Sequence, residues 1–231
     1  IIRISVMVHI SAFHKTGTHA IKNLFKKYSQ LIGGFEFKLF YDWHLKLNDG
    51  IENTKTVICI RNPYETIVSA MRYHQKTTEA WCNKLGFLEP DLDHCRSKFN
   101  NKTYLETISN LPSVEEKIRF EMNNQSQRTI NVMYKSVKDN NIHNNMLFIK
   151  LEDFWTERSR DHVVRQLCSH IDSLNEDILK QAIANLGRKK YNATNKDFSY
   201  TYKDLFNKKL YEEFDDLFPN DIFDVLGYQD K

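Results

Sequence analysis

His9-Ile10-Ser11-Ala12-Phe13-His14-Lys15-Thr16-Gly17-Thr18-His19-Ala20-Ile21 is the most informative segment of the chain. The apolar run Ile4, Val6, Val8 and Ile10 leads into it and reads as a buried strand. The run breaks at Lys15-Thr16-Gly17-Thr18 and passes directly into an amphipathic helix carrying Ile21, Leu24, Phe25 and Tyr28. A strand, a short turn with one glycine and a helix N-terminus make an anion site. Backbone N–H groups point at the ligand and the helix dipole favours negative charge there. Lys15 adds a positive charge, and Thr16 and Thr18 add hydroxyl donors. The segment is expected to grip a phosphate or sulfate. The plainer alternative is an ordinary strand-to-helix turn with a surface lysine.

A second junction of the same kind lies at residues 56–74. Thr56-Val57-Ile58-Cys59-Ile60 is short, apolar and β-branched, and predicts another buried strand. It ends in Arg61-Asn62-Pro63, where proline stops the strand and opens a helix at its first turn. Tyr64 to His74 continue with helical spacing. Arg61 supplies a planar fork of donors and Ser69 a hydroxyl, and both can converge on one oxyanion. The alternative for Arg61 is a helix cap or a surface ion pair. Between the two junctions, Phe37-Lys38-Leu39-Phe40-Tyr41-Asp42-Trp43-His44-Leu45 reads as a strand with a polar, aromatic end. An imidazole there titrates near neutrality, which suits His44 to remove a hydroxyl proton. A packed or exposed histidine at a strand end, without such a role, is the alternative.

The glycine loop lacks the usual nucleotide-binding order of Gly, four residues, then Gly-Lys-Ser/Thr. Lys15-Thr16-Gly17-Thr18 instead resembles the 5′-phosphosulfate loop of sulfotransferases that use 3′-phosphoadenosine 5′-phosphosulfate (PAPS), with His14 and His19 replacing a proline and a threonine. Arg61-Asn62-Pro63-Tyr64-Glu65-Thr66-Ile67-Val68-Ser69 resembles that family's 3′-phosphate motif at the family's Arg-to-Ser spacing. His44-Leu45 is similar to the family segment whose histidine is the general base; other branches use a carboxylate. Leu147 to Phe154 looks like the family's late strand and its Glu-Asp turn. The ending, Tyr202-Lys203-Asp204-Leu205-Phe206 through Leu226-Gly227-Tyr228, is similar to its final helix and its Leu-Gly-Tyr close.

The resemblance implies an enzyme that moves a sulfuryl group from PAPS to a hydroxyl or amine, releasing 3′-phosphoadenosine 5′-phosphate (PAP). It implies that Lys15, Thr16, Gly17, Thr18 and His19 bind the 5′-phosphosulfate, with Lys15 on the leaving oxygen. Arg61 and Ser69 take the 3′-phosphate, and Lys196 and Lys203 stand in a final loop that has lost its family glycines. His44 or Asp42 is the base, and no metal is required. The implied fold is α/β and P-loop-like: a mainly parallel central sheet with helices on both faces. A single domain over 1–231 is expected, with residues 76–145 as a helical insertion over the acceptor. Within 76–145, residues 104–108 and 114–137 read as helices. Tyr41, Trp43, Tyr73 and Trp81 either line the acceptor pocket or belong to the core.

Composition sets the outer bounds. A chain of 231 residues suffices for a sizeable core, and its aromatic content argues against disorder. The net charge of +3 is too slight for a nucleic-acid binder. The resemblance implies a small-molecule or carbohydrate acceptor as the partner. The basic run Gly187-Arg188-Lys189-Lys190 reads as a solvated helix end, or as local steering for an anion. Cys59, Cys82, Cys95 and Cys168 show no metal spacing. Cys59 and Cys168 read as buried thiols, and Cys82 and Cys95 can pair only in an oxidising setting. The triplets at Asn101, Asn124 and Asn192 are formal glycosylation acceptors, of a kind that arises by chance in an asparagine-rich chain. No membrane segment is expected, and a cytoplasmic location is the default; a targeting or anchor segment removed ahead of Ile1 stays open. Oligomeric state is open. The competing functions are a nucleotide kinase and a catalytically silent PAP-binding module.

Overall fold

The structure, a computed structural model, describes residues 5–32, 36–39, 54–83, 99–139, 145–186 and 201–229. Strand β1 is Ser5–Ala12 and helix α1 is Thr18–Ile32. Strands β2 and β3 are Glu36–Leu39 and Thr56–Ile60. Helix α2, Pro63–His74, starts on the proline, whose missing N–H belongs to the unbonded first turn. Helices α3 (Ala80–Asn83), α4 (Tyr104–Ser109), α5 (Val114–Met122) and α6 (Gln125–Lys138) follow. After strand β4, Met146–Lys150, a 3₁₀ turn covers Leu151–Phe154. Helices α7 (Glu157–His170), α8 (Glu176–Leu186), α9 (Tyr202–Leu205), α10 (Lys208–Leu217) and α11 (Ile222–Val225) complete the described elements.

Contacts group the chain into two units. One comprises Ile1–Asn62, Thr129–Tyr191 and Asp221–Lys231; the other comprises Pro63–Arg128 and Asn192–Asn220. The second unit does not coincide with the helical insertion expected at 76–145: it begins at Pro63, taking in α2, and includes residues 192–220, while residues 129–145 fall in the first unit.

The first unit is α/β. Its sheet is parallel, in the order β2-β1-β3-β4. Ile10 pairs with Val57 and Ala12 with Cys59, while Val57 and Cys59 pair on the other side with Leu147 and Ile149. Every residue of β3 is buried, which is why the strand reads as a continuous apolar run. Val8, Ile10, Val57, Cys59 and Ile149 form one face. Ile21, Leu24, Phe25 and Tyr28 of α1 pack on it together with Val163, Val164 and Leu167 of α7 and Leu179, Ala182, Ile183 and Leu186 of α8. The helical spacing in each sequence segment produces these stripes. Ile58 and Ile60 point to the opposite face and are buried as well. The Tyr28 hydroxyl accepts the Asn175 N–H at 2.7 Å, fixing α1 to the start of α8. His170, at the end of α7, lies 3.1 Å from the Thr56 carbonyl.

The second unit is helical. Thr103 and Glu106 cap α4 reciprocally, Ser113 caps α5 and Asn207 caps α10. His74 of α2 and Glu121 of α5 meet at 2.5 Å with both side chains fully buried, and Ser126 donates to the second Glu121 oxygen at 3.1 Å. Trp81 and Tyr104 stand edge-on to the His74 ring. Tyr64 is ringed by Tyr202, Phe206, Tyr211 and Phe214, with Tyr202 stacked at 5.2 Å. Among the described residues no helix is long and apolar enough to cross a membrane. Cys59 and Cys82 are buried and Cys168 is half-buried; Cys95 lies outside the described residues.

Candidate anion site

The strand order places the loop. From β1 the chain goes to β2 on one side, and β3 and β4 lie on the other. The order therefore reverses between β1 and β3, and the loops leaving their carboxyl ends diverge there. Open α/β sheets bind ligands in the crevice at such a point. The loop after β1 carries Lys15 to Gly17, and the end of β3 carries Arg61.

Within the loop, Thr16 is fully buried. Its N–H donates to the Phe13 carbonyl at 3.1 Å. Its hydroxyl lies 2.9 Å from the Phe13 carbonyl and 2.8 Å from the Cys59 carbonyl. Both donors of Thr16 are thus taken by the protein, and they tie the loop to the end of β3. Lys15 adopts a left-handed backbone with φ of 63°, and Gly17 has φ of 110°. A Cβ on Gly17 would stand 2.6 Å from Leu151 Cδ1 and 2.9 Å from Cys59 Sγ, so only glycine fits. Burial, with the nearby charge of Glu152, pushes the Cys59 thiol well above its ordinary range, which leaves it an unreactive packing group under the loop.

The first bond of the helical ladder runs from the Ile21 N–H to the Gly17 carbonyl at 3.0 Å. The N–H groups of Thr18, His19 and Ala20 therefore stand ahead of that ladder. No acidic residue sits in the first turn of α1 to offset its positive end. Thr18 is half-buried and His19 exposed. Arg61 Nη1 donates to the Lys15 carbonyl at 3.1 Å, bringing the two sequence motifs together. The Arg61 side chain keeps 17% of its exposure, and its Nε lies 4.0 Å from Glu152 Oε1. Glu152 Oε1 also accepts the Asn62 N–H at 3.1 Å, and Oε2 accepts the Tyr228 hydroxyl at 2.7 Å. Burial and the Glu152 charge hold the Tyr228 phenol protonated far beyond its usual range.

Glu152 and Tyr228 lie in segments whose resemblance is visible in the sequence, but nothing in the sequence gives them a part in this cluster. Of the other expected residues, Ser69 is half-buried on α2 and Lys203 is exposed on α9, both in the second unit. His44, Asp42 and Lys196, with Tyr41 and Trp43, lie outside the described residues. Tyr73 and Trp81 both donate to Glu79, at 2.5 and 2.6 Å. The donors at the loop suit an anion: helix N–H groups, a lysine and a half-buried arginine. Neither the known family models nor the curated proteins contain a match to this sequence.

Proposed function

We propose that this chain is a PAPS-dependent sulfotransferase with a P-loop-like fold. The observation that carries the reading is the meeting of Lys15 and Arg61 at the strand-order reversal between β1 and β3. Two cationic residues, each at a strand-to-helix junction, suit a donor with phosphate groups at both ends of its nucleoside. PAPS supplies an activated sulfuryl group. The N–H groups at the start of α1 bind the 5′-phosphate, and Lys15 offsets charge that develops on its bridging oxygen. Arg61 takes the 3′-phosphate, to which the sequence motif also assigns Ser69. His44, or Asp42 in its place, removes the acceptor proton. The acceptor is a small molecule or carbohydrate bearing a hydroxyl or amine.

Calorimetry with PAP, AMP and ATP, with and without Mg²⁺, tests this. PAP is expected to bind at least about tenfold more tightly than AMP, because an arginine–phosphate contact contributes on the order of 1.5–3 kcal/mol. Equal affinities overturn the reading. Tighter ATP binding that needs Mg²⁺ moves the chain to the kinases. PAP binding without sulfuryl transfer to any of a panel of phenols, amines and sugars makes it a silent PAP-binding module.

A further inference from the structure

We propose that Glu152 and Tyr228 are positioning residues of the anion site, holding the Arg61 guanidinium on the Lys15 carbonyl and so setting the turn that aims the loop. The inference rests on the reading of residues 13–20 as an anion loop.

Lys15 is a non-glycine residue at φ of 63°, a conformation that needs external support. The Arg61 hydrogen bond to its carbonyl supplies some. An arginine has a long, flexible stem, so its head must itself be held. Glu152 lies at ion-pair distance from Nε, and two separate parts of the chain fix the carboxylate: the Asn62 N–H and the Tyr228 hydroxyl. Tyr228 is held in turn. Lys150 lies 4.8 Å over its ring and donates to the Gly227 carbonyl. Gly227 turns the chain at φ of 69°, where a Cβ would stand 3.3 Å from Lys150 Nζ. The end of the chain is therefore strapped to the loop near its beginning through one carboxylate.

A carboxylate beside an anion site has an electrostatic cost, since it repels the ligand. This gives the two possible roles of Glu152 opposite signs. If its charge is simply a neighbour, Glu152→Gln binds PAP more tightly. If Glu152 positions Arg61, the same variant binds PAP more weakly.

The test measures two quantities in wild type, Glu152→Gln and Tyr228→Phe. The first is amide hydrogen exchange across residues 13–21 of the unliganded protein, with residues 176–186 of α8 as the internal control. The second is PAP affinity by calorimetry. Glu152→Gln is expected to raise loop exchange about tenfold with α8 unchanged, and to weaken PAP about tenfold, the scale of one charge-assisted contact. Tyr228→Phe removes one hydroxyl and is expected to shift both readouts about threefold; it carries the test alone if Glu152→Gln does not fold. In an Arg61→Ala background, Glu152→Gln should add less than about twofold, as required of a residue acting through Arg61. Unchanged loop exchange, or PAP bound as tightly as by wild type or more so, overturns the positioning role. Wild type that does not bind PAP overturns the sulfotransferase reading instead, and loop exchange still decides the positioning role.

Discussion

Gly17 is the residue on which the loop depends. Its positive φ and the closeness of Leu151 and Cys59 leave no space for a side chain. Gly17→Ala is expected to cost at least about 2 kcal/mol, from backbone strain and overpacking together, read as a lowered urea midpoint. Thr16 shows why residue type alone misleads. In the sequence it is a hydroxyl donor beside a phosphate loop; in the structure that hydroxyl is spent on the Phe13 and Cys59 carbonyls. Lys15 is different, because its proposed role lies in the transition state. Lys15→Ala should lower kcat far more than it weakens PAP binding. A variant that binds poorly but turns over normally when saturated would make Lys15 an anchor only.

At the scale of elements, local pattern and capping account for most of what forms. The helical spacing of apolar residues in α1, the proline at the head of α2 and the caps of α4 and α5 are all legible in consecutive residues. The expected helical stretch at 114–137 divides into α5 and α6 at Asn123 and Asn124. The strongest polar link from α2 to α5 is not legible, because it is one buried pair. His74 and Glu121 stand 47 residues apart, and each side chain is fully withdrawn from water. Glu121→Ala leaves the imidazole and the Ser126 hydroxyl without their shared partner. The expected cost is about 3 kcal/mol in urea unfolding, the order for breaking a buried hydrogen-bonded pair. Glu121→Gln keeps the shape and should cost less. A loss below about 1 kcal/mol in the alanine variant would show that the junction holds without the pair, on the packing of Trp81 and Tyr104 against His74 and the Lys117–Gln75 hydrogen bond.

At the scale of the whole molecule, His170 gives the stability of the fold a pH dependence. Burial first, and then the charge of Lys55, lower its pKa in the folded state. The unfolded imidazole takes up its proton near pH 6.5, ahead of the folded one. Its contribution is therefore full above about pH 6.5 and is lost as pH falls through the folded value. Replacing it with the uncharged His170→Gln should flatten the decline in urea midpoint between pH 7.5 and 5.5; an equal slope in both proteins would place that dependence elsewhere. The strand–loop–helix junctions at Lys15 and Arg61 are written in consecutive residues, because they follow from periodicity, proline and glycine over a few neighbours. The folded chain is what puts β1 and β3 on either side of the reversal in strand order and brings Arg61 across 46 residues to the Lys15 carbonyl. It alone joined Glu152 to Asn62 and Tyr228, 90 and 76 residues away. Local signals are carried by the backbone's own repeat, whereas these contacts exist only after the sheet has brought distant strand ends side by side.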